Sequence, residues 1–213
     1  MKNVIVLATS KGGAGKSTLS RSLAAHWFHS GLKTAIIDAD PQGSIIRRHN
    51  PEGELKELKV VAEPEENVSN VIDEMKKSYS PLIVDTGGFR NKTTIRSLIK
   101  CDLALIPLKA SADDVAGALE TFNLITEINE TPERQNNKIK YRMILTMTQA
   151  GTVISRHIRN ELEEMGYFIL KNELYHRVAY PEAALKGLSP CTTDPEGSAA
   201  LDIANIAAEI NQL

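Results

Sequence analysis

Residues 9–18 read TSKGGAGKST. The usual phosphate-binding loop, G-x-x-x-x-G-K-[ST], asks for glycine five residues before Gly15, where this chain has Ser10. In its place comes a second lysine, Lys11, followed at once by Gly12 and Gly13. The rest of the loop keeps the rule. Gly12, Gly13, Ala14 and Gly15 let the backbone turn its N–H groups inward around phosphate oxygens, and a helix opening near Lys16 adds its positive end. In that arrangement Lys16 contacts the β- and γ-phosphates of a nucleotide, Ser17 ligates Mg²⁺ and Thr18 hydrogen-bonds the α-phosphate. A plain Gly-rich turn is the simpler reading, but it does not account for G-K-S-T falling between an apolar strand and an amphipathic helix.

Outward from the loop, short apolar runs rich in β-branched residues recur at 4–8, 34–38, 58–62, 81–85, 103–108 and 141–147. Runs of this length suit strands buried on both faces, as in a parallel sheet covered by helices. Helical patterns lie between them. Leu19, Leu23 and Trp27 step by four; Val115, Leu119, Phe122 and Ile125 form one stripe; Ile154, Ile158, Leu162 and Met165 form another that ends at Gly166, a C′ glycine. A last helix is expected to be capped by Asp194, with Pro195 in its first turn and Ala199, Ile203, Ile206 and Ile210 as its buried stripe. The expected fold is α/β: a doubly wound, mostly parallel sheet with helices on both faces, of the P-loop NTPase type, binding ligands at the carboxyl ends of its strands. Residues 131–138 read as a surface loop and 47–57 as an exposed connection.

Length and composition agree with one domain over residues 1–213, large enough to bury a core without disulfides or metal. The chain is 42% hydrophobic and 24% charged with a formal net charge of -2, so any basic surface must be local. Cys101 and Cys191 are isolated, which fits buried thiols in a reducing compartment. No apolar run reaches membrane-spanning length, and a cytoplasmic protein is expected.

Three strands deliver reactive residues to one edge of the sheet. The second ends DADPQGS, placing Asp38 and Asp40 beside the loop; one of them can orient an attacking water while the other supports Mg²⁺ through its water shell. The fourth ends LIVDTGG, where apolar residues lead to Asp85, an acid placed for the metal, and Gly87 and Gly88 allow a loop that moves with the γ-phosphate. A dinucleotide fingerprint is excluded because GGAGKS lacks the last glycine of G-x-G-x-x-G. Lys11 sits at the outer lip of the loop, where phosphates of its own subunit are already served by Lys16 and backbone amides. It is either a solvated surface lysine or an ammonium placed to meet phosphates bound in a facing subunit.

The set KGGAGKST, DADPQGS, LIVDTGG and LIPL at 105–108 resembles the deviant Walker-A ATPases of the ParA/MinD group, and especially the short ParA proteins that partition plasmids and chromosomes. The resemblance covers essentially the whole chain. It implies that Lys11 is the signature lysine reaching across an ATP-sandwich homodimer, that Lys16 binds phosphate, that Asp40 positions the hydrolytic water, and that Ser17 binds and Asp85 supports the metal; Lys11, Lys16 and Asp40 are thus the candidate catalytic residues, and Asp38 is left as the second acid beside the metal. It also implies that Pro107, Thr146 and Met147 lie near the adenine. The sequence departs from the group at TGG, where T-P-P is usual. No N-terminal DNA-binding extension is expected, so neither is operator-specific repression.

Within the group, no Lys or Arg follows Lys186, which argues against a lipid-binding basic C-terminal helix. Thr86 stands where a cluster-bridging cysteine is expected in iron-protein relatives. Residues 134–186 carry nine Lys and Arg against five Glu, a local excess of +4. Arg156, Arg159, Lys171, Arg177 and Lys186 are the candidate contacts to DNA phosphates. The implied activity is an ATP- and Mg²⁺-dependent partition ATPase. It dimerises on ATP, with room for higher-order assembly, holds nucleoid DNA non-specifically, and hydrolyses slowly until a ParB-like centromere-binding protein stimulates it. The alternative is a positioning ATPase of the same group whose cargo is a protein complex or a membrane.

Overall fold

The computed structural model describes residues 3–88 and 91–213. In chain order the elements are β1 (Val4–Leu7), α1 (Lys16–His29), β2 (Ala35–Ala39), β3 (Lys59–Ala62), α2 (Val68–Met75), β4 (Leu82–Thr86), α3 (Lys92–Lys100) and β5 (Leu103–Leu108). They continue with α4 (Ala112–Asn129), β6 (Lys140–Thr148), α5 (Val153–Glu164), β7 (Leu174–Tyr175), α6 (Ala179–Leu185), α7 (Pro190–Thr193) and α8 (Ser198–Asn211). The strands form one sheet in the order β3-β2-β4-β1-β5-β6-β7, and every pairing is parallel. No helix among the described residues is long and apolar enough to cross a membrane.

Alternation along the strands divides the core. Ile5, Leu7, Ile36, Ile83, Leu103 and Leu105 face α1 and α8, whereas Val4, Val6, Ile37, Val84, Ala104 and Ile106 face α2, α4 and α5. Both faces are thus apolar, which is why the strands read as unbroken runs. The chain leaves β1 through α1 toward β2 on one side and leaves β5 through α4 toward β6 on the other, with the two helices on opposite faces. A crevice opens between such diverging connections, beyond the carboxyl ends of the strands.

Several expectations need correction. The last helix starts at Ser198 behind Gly197, and Asp194 instead closes α7 with non-helical backbone (φ -152°, ψ 76°). Being the residue before Pro195, it is pushed out of the helical region and ends one helix rather than starting the next. In α5, Ile158 and Leu162 are buried, but Ile154 and Met165 at its two ends are exposed. The 47–57 connection is anchored by buried Leu55, with Leu58 just beyond it, so it is not wholly a surface segment. The two-residue β7 escaped periodicity because it is too short to show any.

Gly166 and Gly187 separate backbone strain from steric need. Both have positive φ (+83° and +72°), but a Cβ on Gly166 meets nothing within 4 Å, whereas one on Gly187 would lie 2.1 Å from the Arg48 carbonyl oxygen. Gly166→Ala is therefore expected to cost about 1 kcal/mol in urea unfolding, the strain of the left-handed backbone alone. Gly187→Ala should cost roughly 3 kcal/mol or more, because the 48–50 backbone must also move. Equal losses would show that this backbone yields freely.

Candidate functional site

β1 ends at Leu7, and the amide of Ala8 donates to the Leu105 carbonyl (3.1 Å) before the chain leaves the sheet. The loop turns on two left-handed glycines, Gly13 (φ +71°) and Gly15 (φ +85°). On Gly12 and Gly13 the side a Cβ would occupy is open. Gly15 precedes α1 with no side-chain cap, and the first helical bond is Leu19 N–H to the Gly15 carbonyl (2.9 Å). The amides of Lys16, Ser17 and Thr18 are thus left without intrahelical acceptors, at the positive end of the helix. They line a cleft of about 340 Å³ together with Ser10, Lys11, Asp40, Gln42, Gly87, Gly88 and Met147.

Asp85, at the end of β4, lies beneath the first turns of α1, behind the residues that line the cleft. It is fully buried, its Oδ1 accepts from the Ser20 hydroxyl (2.9 Å), and its Oδ2 has no hydrogen-bond partner among the described residues. Burial pushes its carboxyl up to about 6, although hydrogen bonds from Ser17 and Ser20 and the charge of Lys16 pull the other way. Burial in turn lowers the Lys16 ammonium, and the charges of Asp85 and Asp40 offset part of that. A buried carboxylate oxygen with no donor, beside a hydroxyl, offers the oxygen ligands a hard divalent cation takes, and the Lys16 ammonium next to them suits the phosphate such a cation accompanies.

Asp38 and Asp85 are register partners across β2 and β4. Asp38 is turned toward its own loop: Oδ2 accepts from the amides of Ile45 and Ile46 (2.9 Å each) and Oδ1 from that of Asp40 (3.3 Å). Asp40 faces the cleft, with Oδ1 accepting from the Gln42 amide (2.9 Å). Gly87 comes very close to it, since a Cβ there would lie 2.9 Å from Asp40 Oδ1 and 3.1 Å from Pro41 Cδ. The glycine in TGG thus lets the Asp40 loop close against the end of β4. Arg21, which the sequence reading missed, is buried under that loop and donates to the Ser44 carbonyl (3.1 Å). Its position one turn beyond Ser17 on α1 was the available signal.

The three residues expected near a base separate. Thr146 is fully buried, its hydroxyl donating to the Ala14 carbonyl (2.9 Å) and lying 3.2 Å from that of Leu108, so it braces the loop from beneath. Met147 lines the cleft with positive φ (54°), and its Cε lies 3.7 Å from the position of a Cβ on Gly15. Pro107 is buried inside β5 opposite Ile144 and does not line the cleft. A central strand tolerates this proline because β1, paired with β5 only through Leu105, has already left the sheet on the side where its missing N–H would point.

The basic residues separate too. Arg159 is paired with Glu173 (2.8 Å) and donates to the Leu170 carbonyl, and Arg177 is paired with Asp202 and lies over the Tyr175 ring. Arg156, Lys171 and Lys186 are exposed, and their charged groups make no ion pair among the described residues. His26 and His29, one turn apart on α1, have no third His, Cys, Asp or Glu grouped with them among the described residues, and His29 is hydrogen-bonded to Thr192 (2.8 Å).

Comparison with known proteins agrees with this geometry. Over 182 residues the chain is 31% identical to the protein ParA of Rhizobium radiobacter, covering 83% of this chain and 80% of that one. It is 25% identical to the maintenance of carboxysome distribution protein A of Halothiobacillus neapolitanus, covering 98% and 93%. Its fold superimposes on the septum site-determining protein MinD of Pyrococcus horikoshii, solved in complex with Mg-ADP, with a TM-score of 0.77, 14% identity and coverage of 100% and 97%. Residues 5–191 match the CobQ/CobB/MinD/ParA nucleotide binding domain from the first strand through the loop, both acidic strand ends and α7. The chain therefore belongs to the CobQ/CobB/MinD/ParA family of nucleotide-binding domains.

Proposed function

We propose that the protein is an ATP-hydrolysing partition switch that dimerises on ATP and holds DNA until hydrolysis releases it. The observation that carries the nucleotide part is the unpartnered Asp85 Oδ2, buried beside Lys16 and Ser17 beneath a loop of free amides. In this reading the amides of Gly12–Gly15 and the first turn of α1 cradle the phosphates, Lys16 reaches the β- and γ-phosphates and Thr18 the α-phosphate. Ser17 and Asp85 would hold Mg²⁺ directly, with Asp38 behind them fixing the loop that carries Asp40. Bound there, the ion supplies charge neutralisation on the phosphates. Asp40 orients the attacking water, and Lys11 extends to phosphates bound in a second copy of the chain. Met147 lies toward the nucleoside end.

For the cargo, Arg156, Lys171 and Lys186 are the side chains free to meet DNA phosphates, whereas Arg159 and Arg177 would first have to leave their carboxylates. A ParB-like centromere-binding protein is the proposed stimulator, and the nucleoid the proposed location of the ATP-bound dimer. A second reading, a positioning ATPase for a protein cargo, draws support from those two neutralised arginines and from the carboxysome-distribution relative aligned over nearly the whole chain.

The reading is tested by molar mass and DNA retention measured with no nucleotide, ADP and ATP at two salt concentrations. ATP is expected to give a dimer that binds DNA, with affinity falling steeply with salt. Lys11→Ala should keep ADP binding while losing both dimer and DNA binding. Arg156→Ala with Lys186→Ala should lose DNA alone. An ATP dimer that ignores DNA at low salt would turn the assignment to the protein-cargo reading.

Asp85 makes a separate prediction for protein free of nucleotide and Mg²⁺. Its folded-state value of about 6 lies above the ordinary 3.8, so its protonation favours the folded state below pH 4, and that contribution is lost as pH rises through 6. Asp85→Asn, which cannot ionise, is expected to gain stability over wild type between pH 4 and pH 8 by up to about 3 kcal/mol. Added Mg²⁺ and nucleotide should stabilise wild type and not the variant. A stability difference independent of pH would mean that Asp85 does not titrate in this range.

A further inference from the structure

We infer that helix α4 is the seat of the odd lysine, and that Gly117 and Thr121 are positioning residues which hold Lys11 at the lip of the cleft. The inference rests on the proposed role of Lys11 in the dimer and adds what aims it.

Gly117 is buried in the interior of an 18-residue helix, where glycine is a poorer helix former than alanine. Space explains its presence. A Cβ at 117 would lie 2.5 Å from Ser10 Oγ, 2.7 Å from Lys11 Cγ and 3.6 Å from Lys11 Cε. Two carbons of the same stem, two bonds apart, come this near one point, so the Lys11 side chain runs across the helix surface where a side chain at 117 would stand. One turn on, the fully buried Thr121 hydroxyl accepts from the Ser10 amide (3.2 Å) and donates to the Gly117 carbonyl (2.9 Å). The backbone just before Lys11 is thus tied to α4 while its stem lies in the gap that Gly117 leaves. The ammonium stays exposed and makes no ion pair among the described residues.

The consequence is orientational. A lysine on a free Gly-rich loop samples many directions, and reaching a phosphate in another subunit would require all of them but one to be given up. A stem laid along a helix has lost most of that freedom before the partner arrives. The seat also places Lys11 in the crevice between the β1 and β5 connections, because α4 follows β5.

The test uses the intact protein and three measurements: ADP affinity, ATP-dependent dimer mass, and the nuclear Overhauser contact between Lys11 side-chain methylenes and the Gly117 Hα protons. The contact should be present in nucleotide-free wild type. Gly117→Ala, a change that on helix propensity alone is favourable, should keep ADP affinity within about threefold and weaken dimerisation about tenfold or more. Thr121→Val should act in the same direction and Thr121→Ser should restore wild-type behaviour. In the Lys11→Ala background, Gly117→Ala should change dimerisation no further. A Gly117→Ala protein that dimerises like wild type overturns the seat, as does an absent Overhauser contact or an equal loss of ADP binding with and without Lys11. If Lys11→Ala itself dimerises normally, the proposed role of Lys11 in the dimer fails instead, and the Overhauser contact alone decides whether α4 holds the side chain.

Discussion

Between Lys16 at the start of α1 and Asp85 near the end of β4 there is a charge relationship that neither group could sustain alone. Burial drives the lysine toward its neutral form and the carboxyl toward its protonated form, and each is held back by the other. The pair cannot relax by moving apart. Leu7 and Asp85 are register partners across β1 and β4, and the Thr86 hydroxyl donates to the Leu7 carbonyl (2.7 Å), so the position of Asp85 is set by sheet hydrogen bonding. Ser20 fixes one carboxylate oxygen and leaves the other bare. A fold that seeks only stability would fill that position with a donor or an apolar side chain; here the cost is retained at the point where phosphate-binding amides converge.

The same logic extends to the two loops that flank Asp85. Asp38 spends its carboxylate on three backbone amides, which turns DADPQGS from a flexible connection into a fixed arm carrying Asp40. Gly87 then lets this arm touch the exit of β4. At the glycine that departs from the expected T-P-P spelling, a Cβ would push the Asp40 carboxylate from its present place. Gly88, exposed and with nothing near its Cβ position, has no such conflict.

The parts of this arrangement visible in the sequence are those written by local chemistry. Buried parallel strands announce themselves as apolar runs, the loop by its glycines, and the acidic strand ends by the contrast between LIV and Asp85. What stayed hidden depends on pairs distant in the chain. Thr146 bracing Ala14 joins residues 132 positions apart, and no local pattern separates that hydroxyl from one contacting a ligand. The resemblance alone places Pro107 near the adenine, yet it is buried within β5, where the early departure of β1 accommodates it. Gly117 did leave a local trace, a glycine inside a strong helical pattern, but its reason lies across the crevice on Ser10 and Lys11.

Charge was the property least legible from sequence, and the reason bears on cargo. Counting cations over 134–186 treats every side chain as a free head group, but Arg134 is buried against the Cys101 carbonyl, Arg142 lies over the Phe168 ring, and Arg159 and Arg177 have carboxylate partners 14 and 25 residues away. The field that remains comes from single, separated cations, which attract a polyanion without shaping a groove for it. The fold adds a neighbour that counting could not: the tight approach of Gly187 to the Arg48 carbonyl brings the exposed Arg47 and Arg48 beside Lys186. There the loop after β2 meets the end of α6. A count along any one window would divide Lys186 from Arg47 and Arg48.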